Sequence, residues 1–137
     1  MIGLDTNVIV RYLVQDDPDQ SGRANELVEG LTASDRGFIS LVALVEVSWV
    51  LGRAYGLDRE GVADIVASLL GSAELVLERA GLVESALEDV SEGADFADAV
   101  IARSGVAAGC QQTVTFDARA AKRAGMTLIG PSAATAP

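Results

Sequence analysis

Four acids in this chain stand where carboxylate chemistry is done: Asp5, Glu46, Asp98 and Asp117. Asp5 follows the short apolar run Ile2 to Leu4, and Asp117 follows Thr113 to Phe116. Runs of that length read as strands, the first as a fully buried central one. In open parallel α/β sheets, ligands bind outside the carboxyl ends of the strands. Glu46 is the only charge between Leu41 and Leu51. A carboxylate buried in so apolar a helix needs a cationic partner or a metal. Its other reading is an outward-facing pair with Arg53, two turns on. Asp98 lies three residues after Asp95, on one helical face. Helix capping is the competing explanation for Asp5, Asp95 and Asp117, since each precedes a helical pattern. Asp98 falls in a first turn, where the helix dipole favours negative charge.

Carboxylates grouped at one sheet edge repel. At an effective dielectric near 20, each pair at ~4 Å costs on the order of 4 kcal/mol. A divalent cation offsets that cost, and all-oxygen ligands favour Mg²⁺ or Mn²⁺. Such an ion lowers the pKa of a bound water and clamps phosphate oxygens, so phosphodiester hydrolysis can proceed without imidazole. The chain has no His. That excludes Ser-His-Asp and Cys-His hydrolases and histidine-ligated zinc. The formal charge of −10 argues against a passive nucleic-acid binder. It fits a solvated acidic surface, a basic protein partner or a cluster of metal-binding acids, and composition does not choose among them.

The elements that must position these acids follow from periodicity and punctuation. The 137 residues suit one domain, and 50% hydrophobic with 4% aromatic residues implies a core of Val, Leu, Ile and Ala. Helices are expected over Val8–Val14, from Pro18 (capped by Asp17) to about Leu31, over Leu41–Tyr55, and from Asp58 to about Leu70. Ala24, Leu27, Val28 and Leu31 would form the buried stripe of the second. Further helices are expected from Gly81 to about Val90, from the Asp95 cap to Ala108, and over Ala118–Ala124. Besides Ile2–Leu4, strands are expected at Phe38–Ile39, Leu75–Leu77, Thr113–Phe116 and Thr127–Ile129. This alternation predicts a three-layer α/β/α sandwich around a mostly parallel sheet of about five strands, one domain over residues 1–130. The small, polar tail over 131–137 is expected to be disordered. Cys110 reads as a buried structural thiol. No stretch approaches the ~18 apolar residues of a membrane span, and no basic-then-apolar leader is present. A soluble, cytoplasmic protein is expected.

Leu4-Asp5-Thr6-Asn7, Glu46 in its apolar helix, Asp98-Ala99-Val100-Ile101-Ala102 and Thr115-Phe116-Asp117 resemble the motifs of the PIN-domain nucleases. Within that family the likeness is to the VapC-like toxins of type II toxin–antitoxin systems. Order, spacing and length match from residue 1 to about 130. The resemblance implies a Mg²⁺- or Mn²⁺-dependent endoribonuclease that cuts structured RNA such as tRNA or rRNA. It also implies a homodimer and a small antitoxin with a basic toxin-binding segment. By position, Asp5, Glu46 and Asp98 are similar to the family's metal-site acids and Asp117 to its fourth acid. Asn7, Ser40 and Thr115 are similar to the polar residues that support them. Asp95 has two readings, an N-cap and an auxiliary ligand for a second metal. The chain departs from the pattern at Ala120, where many PIN domains carry a further Asp, which leaves Asp117 alone in its motif.

RNA must approach this acidic chain, and Arg11, Arg103, Arg119, Lys122 and Arg123 follow the acid-bearing segments and could line the rim. Their other reading is a set of solvated helix faces. Among rival classes, a haloacid-dehalogenase-type phosphatase needs a second Asp where Asn7 stands. A receiver-type signalling module needs an acidic pair and a late Lys that are not well placed. A degenerate PIN fold used only for binding RNA or protein is the alternative that the four intact acids oppose.

Overall fold

The computed structural model describes residues 1–130; the expected tail over 131–137 lies outside the described residues. The chain divides into two compact units, Met1–Gly81 and Leu82–Pro137.

In the first unit, β1 (Ile2–Gly3), β2 (Gly37–Ile39) and β3 (Leu75–Leu77) form one parallel sheet in that order. Ile2 stands opposite Gly37, and Ile39 opposite Leu77. Parallel neighbours need long crossovers. Here α1 (Thr6–Val14) and α2 (Pro18–Glu29) supply the first, α3 (Leu41–Ala54) and α4 (Arg59–Leu70) the second. The starts are set locally. The side chains of Asp17, Ser40 and Asp58 accept hydrogen bonds from the backbone N–H groups of Gln20, Ala43 and Gly61, satisfying donors that a helix start leaves orphaned. Helix α3 buries Leu44, Val47 and Leu51, and α4 buries Val62, Val66 and Leu69. Each such side chain contributes roughly 1.5–3 kcal/mol on burial. At Gly37 a Cβ would stand 2.9 Å from Leu31, 3.0 Å from Leu4 and 3.1 Å from Leu75. The ends of three leucine side chains close over the strand there, and any larger residue would have to displace them.

The second unit carries α5 (Ala80–Ser91, starting just before the boundary), α6 (Phe96–Ala107), β4 (Val114–Thr115), α7 (Ala118–Ala124) and β5 (Thr127–Leu128). Strands β4 and β5 are parallel, Val114 opposite Thr127 and Thr115 opposite Leu128, with α7 as their crossover. Val83, Ala86 and Val90 of α5 and Phe96, Ala99 and Val100 of α6 are buried.

The α/β class is thus observed: among the described residues, seven helices and five strands paired only in parallel ladders, three in one sheet and two in another. Several local expectations need correction. Strand β1 is an edge strand, not a buried central one. Among the described residues it is hydrogen-bonded to β2 alone, Ile2 and Gly3 are exposed, and burial begins only at Leu4. Helix α2 stops at Glu29, so Leu31 is buried beyond its end, while Leu27 is exposed and Ser21 takes its place on the inner face. Cys110 is exposed, because it follows the turn at Gly109 that ends α6 rather than a packed face. Among the described residues no helix is long and apolar enough to cross a membrane.

Candidate functional site

In the first unit, Asp5 directly follows β1 and is the N-cap residue of α1, with extended φ −77° and ψ 158°. Its carbonyl accepts the Ile9 N–H at 3.2 Å, but its carboxylate makes no capping bond. Capping therefore does not account for the charge at Asp5. Asn7 is exposed on the first turn of α1. Ser40 caps α3, its Oγ accepting from the Ala43 N–H at 3.1 Å. Glu46 is exposed rather than buried. The helix turns Leu44 and Val47 inward and puts Glu46 on the same outer face as Val42 and Trp49, both exposed. It does not pair with Arg53, whose guanidinium stacks 4.4 Å from the Trp49 ring centre.

Two residues of this unit show what sequence reading missed. Glu78 follows β3 as Asp5 follows β1, and its Oε1 accepts the Leu41 N–H at 2.8 Å, which caps α3 from a neighbouring strand. The strand-then-acid signal was present there too. Tyr55 is the second. Arg11 donates from Nε to Gln20 (2.8 Å) and from Nη1 to Asp16 (2.9 Å) and the Tyr55 hydroxyl (3.3 Å), while that hydroxyl donates to Asp16 at 2.6 Å. The Tyr55 hydrogen bond, reinforced by Arg11, holds the Asp16 carboxyl below the usual carboxylate range. Arg11 is thus engaged in tying α1, α2 and the end of α3 together.

In the second unit, Asp95 is the N-cap of α6 and its carboxylate accepts the Asp98 N–H at 3.3 Å. Asp117 caps α7, accepting from Arg119 at 2.8 Å and Ala120 at 3.3 Å. The Thr115 hydroxyl accepts the Asp117 N–H at 3.0 Å. Asp98 is half-buried in the first turn of α6. Burial first, then the negative charges of Asp95 and Asp117, raises its carboxyl above the ordinary carboxylate range. The three acids therefore share one negative field. Among the described residues, no three acidic side chains of either unit gather closely enough to hold a cation between them. The donor chemistry still fits a hard divalent ion, since every candidate donor is a carboxylate oxygen.

Of the basic residues, Arg103 forks onto Asp89 through Nε and Nη2, both at 2.8 Å, and so links α6 to α5. Arg119 and Lys122 are exposed on α7, and the stem of Arg123 lies against Gly93.

The family model of the PIN domain matches residues 2–126, and the chain belongs to that family. The PIN domain is a nuclease fold, and its members are generally metal-dependent ribonucleases. No curated protein matches the chain.

Proposed function

We propose that this protein is a Mg²⁺- or Mn²⁺-dependent endoribonuclease, the cytoplasmic toxin of a toxin–antitoxin pair, which hydrolyses structured RNA such as tRNA or rRNA. The observation that carries the reading is the match to the PIN domain over residues 2–126, and beside it burial, then the charges of Asp95 and Asp117, raise the Asp98 carboxyl. Such an arrangement is unfavourable by itself and is relieved by a cation. Asp5, Glu46, Asp98 and Asp117 would hold the ion, and Asp95 would add charge beside it. When bound, the ion would supply Lewis-acid charge toward a phosphodiester and a more acidic water. Asp5 brings a carboxylate that no helix start engages. The caps made by Asp95 and Asp117 fix the starts of α6 and α7, and thereby the approach of Asp98 to its neighbours. With no His in the chain, proton transfer would rest on these carboxylates.

The partner reading rests on charge and on one helix face. Even without the four candidate acids the chain stays net negative, which suits a small antitoxin with a basic end. The exposed Val42 and Trp49 on α3 offer apolar surface to such a segment or to a second copy in a homodimer. The deciding experiment is cleavage of tRNA and rRNA by the purified chain across a Mg²⁺ and Mn²⁺ series, with EDTA and Asp98→Asn as controls. Metal-dependent cutting that the variant lacks is expected. Binding of RNA without cutting at any metal concentration would make the chain a degenerate PIN fold.

A further inference from the structure

The second unit contains a cleft of about 440 Å³ that the carboxylates leave unused. It is walled by the C-terminal halves of α6 and α7 together with the segment Gln111 to Thr113. Its position relative to the acids follows from the two helices. Helices α6 and α7 pack together, and at their starts Asp98 and Asp117 act on each other through charge. At their ends, Val106 of α6 and Arg123 of α7 line the same cleft. The helices therefore run side by side in the same sense, acids at one end and cleft at the other. Asp98, Ala102 and Val106 follow one another along one face of α6. At 1.5 Å per residue, the stretch from Asp98 to the cleft-lining Arg103 and Val106 spans roughly 8–12 Å. That equals about two to four stacked nucleotides at the ~3.4 Å rise of one strand.

The chemistry of the cleft suits a base better than a phosphate. Its charged lining is balanced, with Asp89 and Glu92 against Arg103 and Arg123, in a chain of net charge −10. Arg103 already has a carboxylate partner on two of its nitrogens, so its charge is largely answered. Gln111 and Gln112 are exposed, and their side-chain amides make no hydrogen bond among the described residues. An amide offers a donor pair and an acceptor in one plane, the pattern that reads a base edge. Small or apolar groups, Ala102, Val106 and Ala124, leave room for a flat ring beside them. The Arg123 side chain passes Gly93, its Cδ 3.2 Å from where a Cβ on that residue would stand. Gly93 has φ +113°, a conformation few other residues adopt. The absence of a Cβ there leaves the guanidinium room at the rim, where it can stack on an aromatic base. Outside the cleft, α7 carries exposed Arg119 and Lys122 to meet the backbone.

We propose that this cleft binds one unpaired nucleobase of the RNA substrate, a few nucleotides from the phosphate presented to the carboxylates. Gln111 and Gln112 read its edge and Arg123 stacks on its face. The proposal rests on the ribonuclease reading for the identity of the ligand, and its test separates the two. The full-length protein in EDTA is titrated with adenosine 5′-monophosphate, uridine 5′-monophosphate and ribose 5-phosphate. The side-chain amide signals of Gln111 and Gln112 are followed by NMR. The nucleotides should shift those signals and ribose 5-phosphate should not. The double variant Gln111→Ala, Gln112→Ala should remove the response and weaken binding of a labelled eight-nucleotide RNA about tenfold. Under cleaving conditions it should raise KM and leave kcat unchanged, because the lost contacts bind ground and transition states alike. Equal shifts with ribose 5-phosphate, or unaltered RNA affinity in the double variant, would overturn the base pocket. If the protein cuts no RNA yet the nucleotide shifts persist, the pocket stands and the nuclease reading falls. Silent amide signals in a protein that cuts RNA would do the opposite, removing the pocket and leaving the nuclease.

Discussion

Asp5 and Asp117 occupy the same local setting, just after a strand and at the N-cap of the next helix, yet their carboxylates behave differently. Asp117 bonds two backbone N–H groups, and its own N–H is held by Thr115. Asp5 bonds none at its helix start. The first arrangement is complete within a few residues of chain, so it would form in any protein with that local sequence. The second leaves an exposed carboxylate that its helix start does not engage, open to a metal or a substrate as partner. The same division runs through the other acids. Asp95 and Glu78 are engaged as caps, whereas Asp98 is pressed by burial and by its neighbours' charges.

Activity separates the two kinds of acid most strongly. Asp5→Asn and Asp98→Asn should each reduce metal-dependent RNA cleavage by more than the roughly 10–100-fold that loss of an outer-shell partner costs. A single-turnover assay at saturating Mg²⁺ measures it, and full activity in Asp5→Asn would end the metal-site proposal. Stability sharpens the contrast next. Asp117→Ala should cost about 1 kcal/mol through loss of the cap, while Asp5→Ala should be close to neutral without metal. Urea unfolding of both variants decides it, and an equal loss at the two positions would show that Asp5 does cap in solution.

A smaller effect is expected at Asp95. Asp95→Ser keeps an N-cap and removes a carboxylate, so the fold should be retained and cleavage should fall only a few-fold. Asp98→Ser should be far worse, and near-complete losses for both would promote Asp95 to a principal ligand.

The smallest effect is on pH dependence. Because the folded protein raises the Asp98 carboxyl, the ionised group opposes folding. That opposition is absent below the unfolded-state pKa and is complete once the pH has risen through the folded-state pKa. Metal-free Asp98→Asn should therefore melt slightly higher than wild type at neutral pH. The gap should close in acid, and a gap constant with pH would contradict the raised carboxyl.

Much of this protein is legible in the order of its residues, because the signals are local. Asp17, Asp95 and Asp117 precede helical patterns in the sequence, and each caps the helix that follows. A capping bond spans two or three residues, so the sequence holds both partners. The alternation of strands and helices, and with it the α/β class, follows from hydrophobic period and punctuation in the same way. Burial and pairing are different, because they depend on which elements face each other. A run of apolar neighbours around Glu46 says that its helix packs, but only the packing of α3 decides that Leu44 and Val47 point inward and Glu46 outward. Ile2 reads as central until β1 is seen to have a single neighbour, and Cys110 reads as buried until its turn is placed. Arg11 meets Tyr55 across 44 residues, and Arg103 meets Asp89 across 14. Local order sets the caps, the elements and the stock of carboxylates. Which charges are answered is a matter of packing, since a charge is answered by whatever the fold brings beside it.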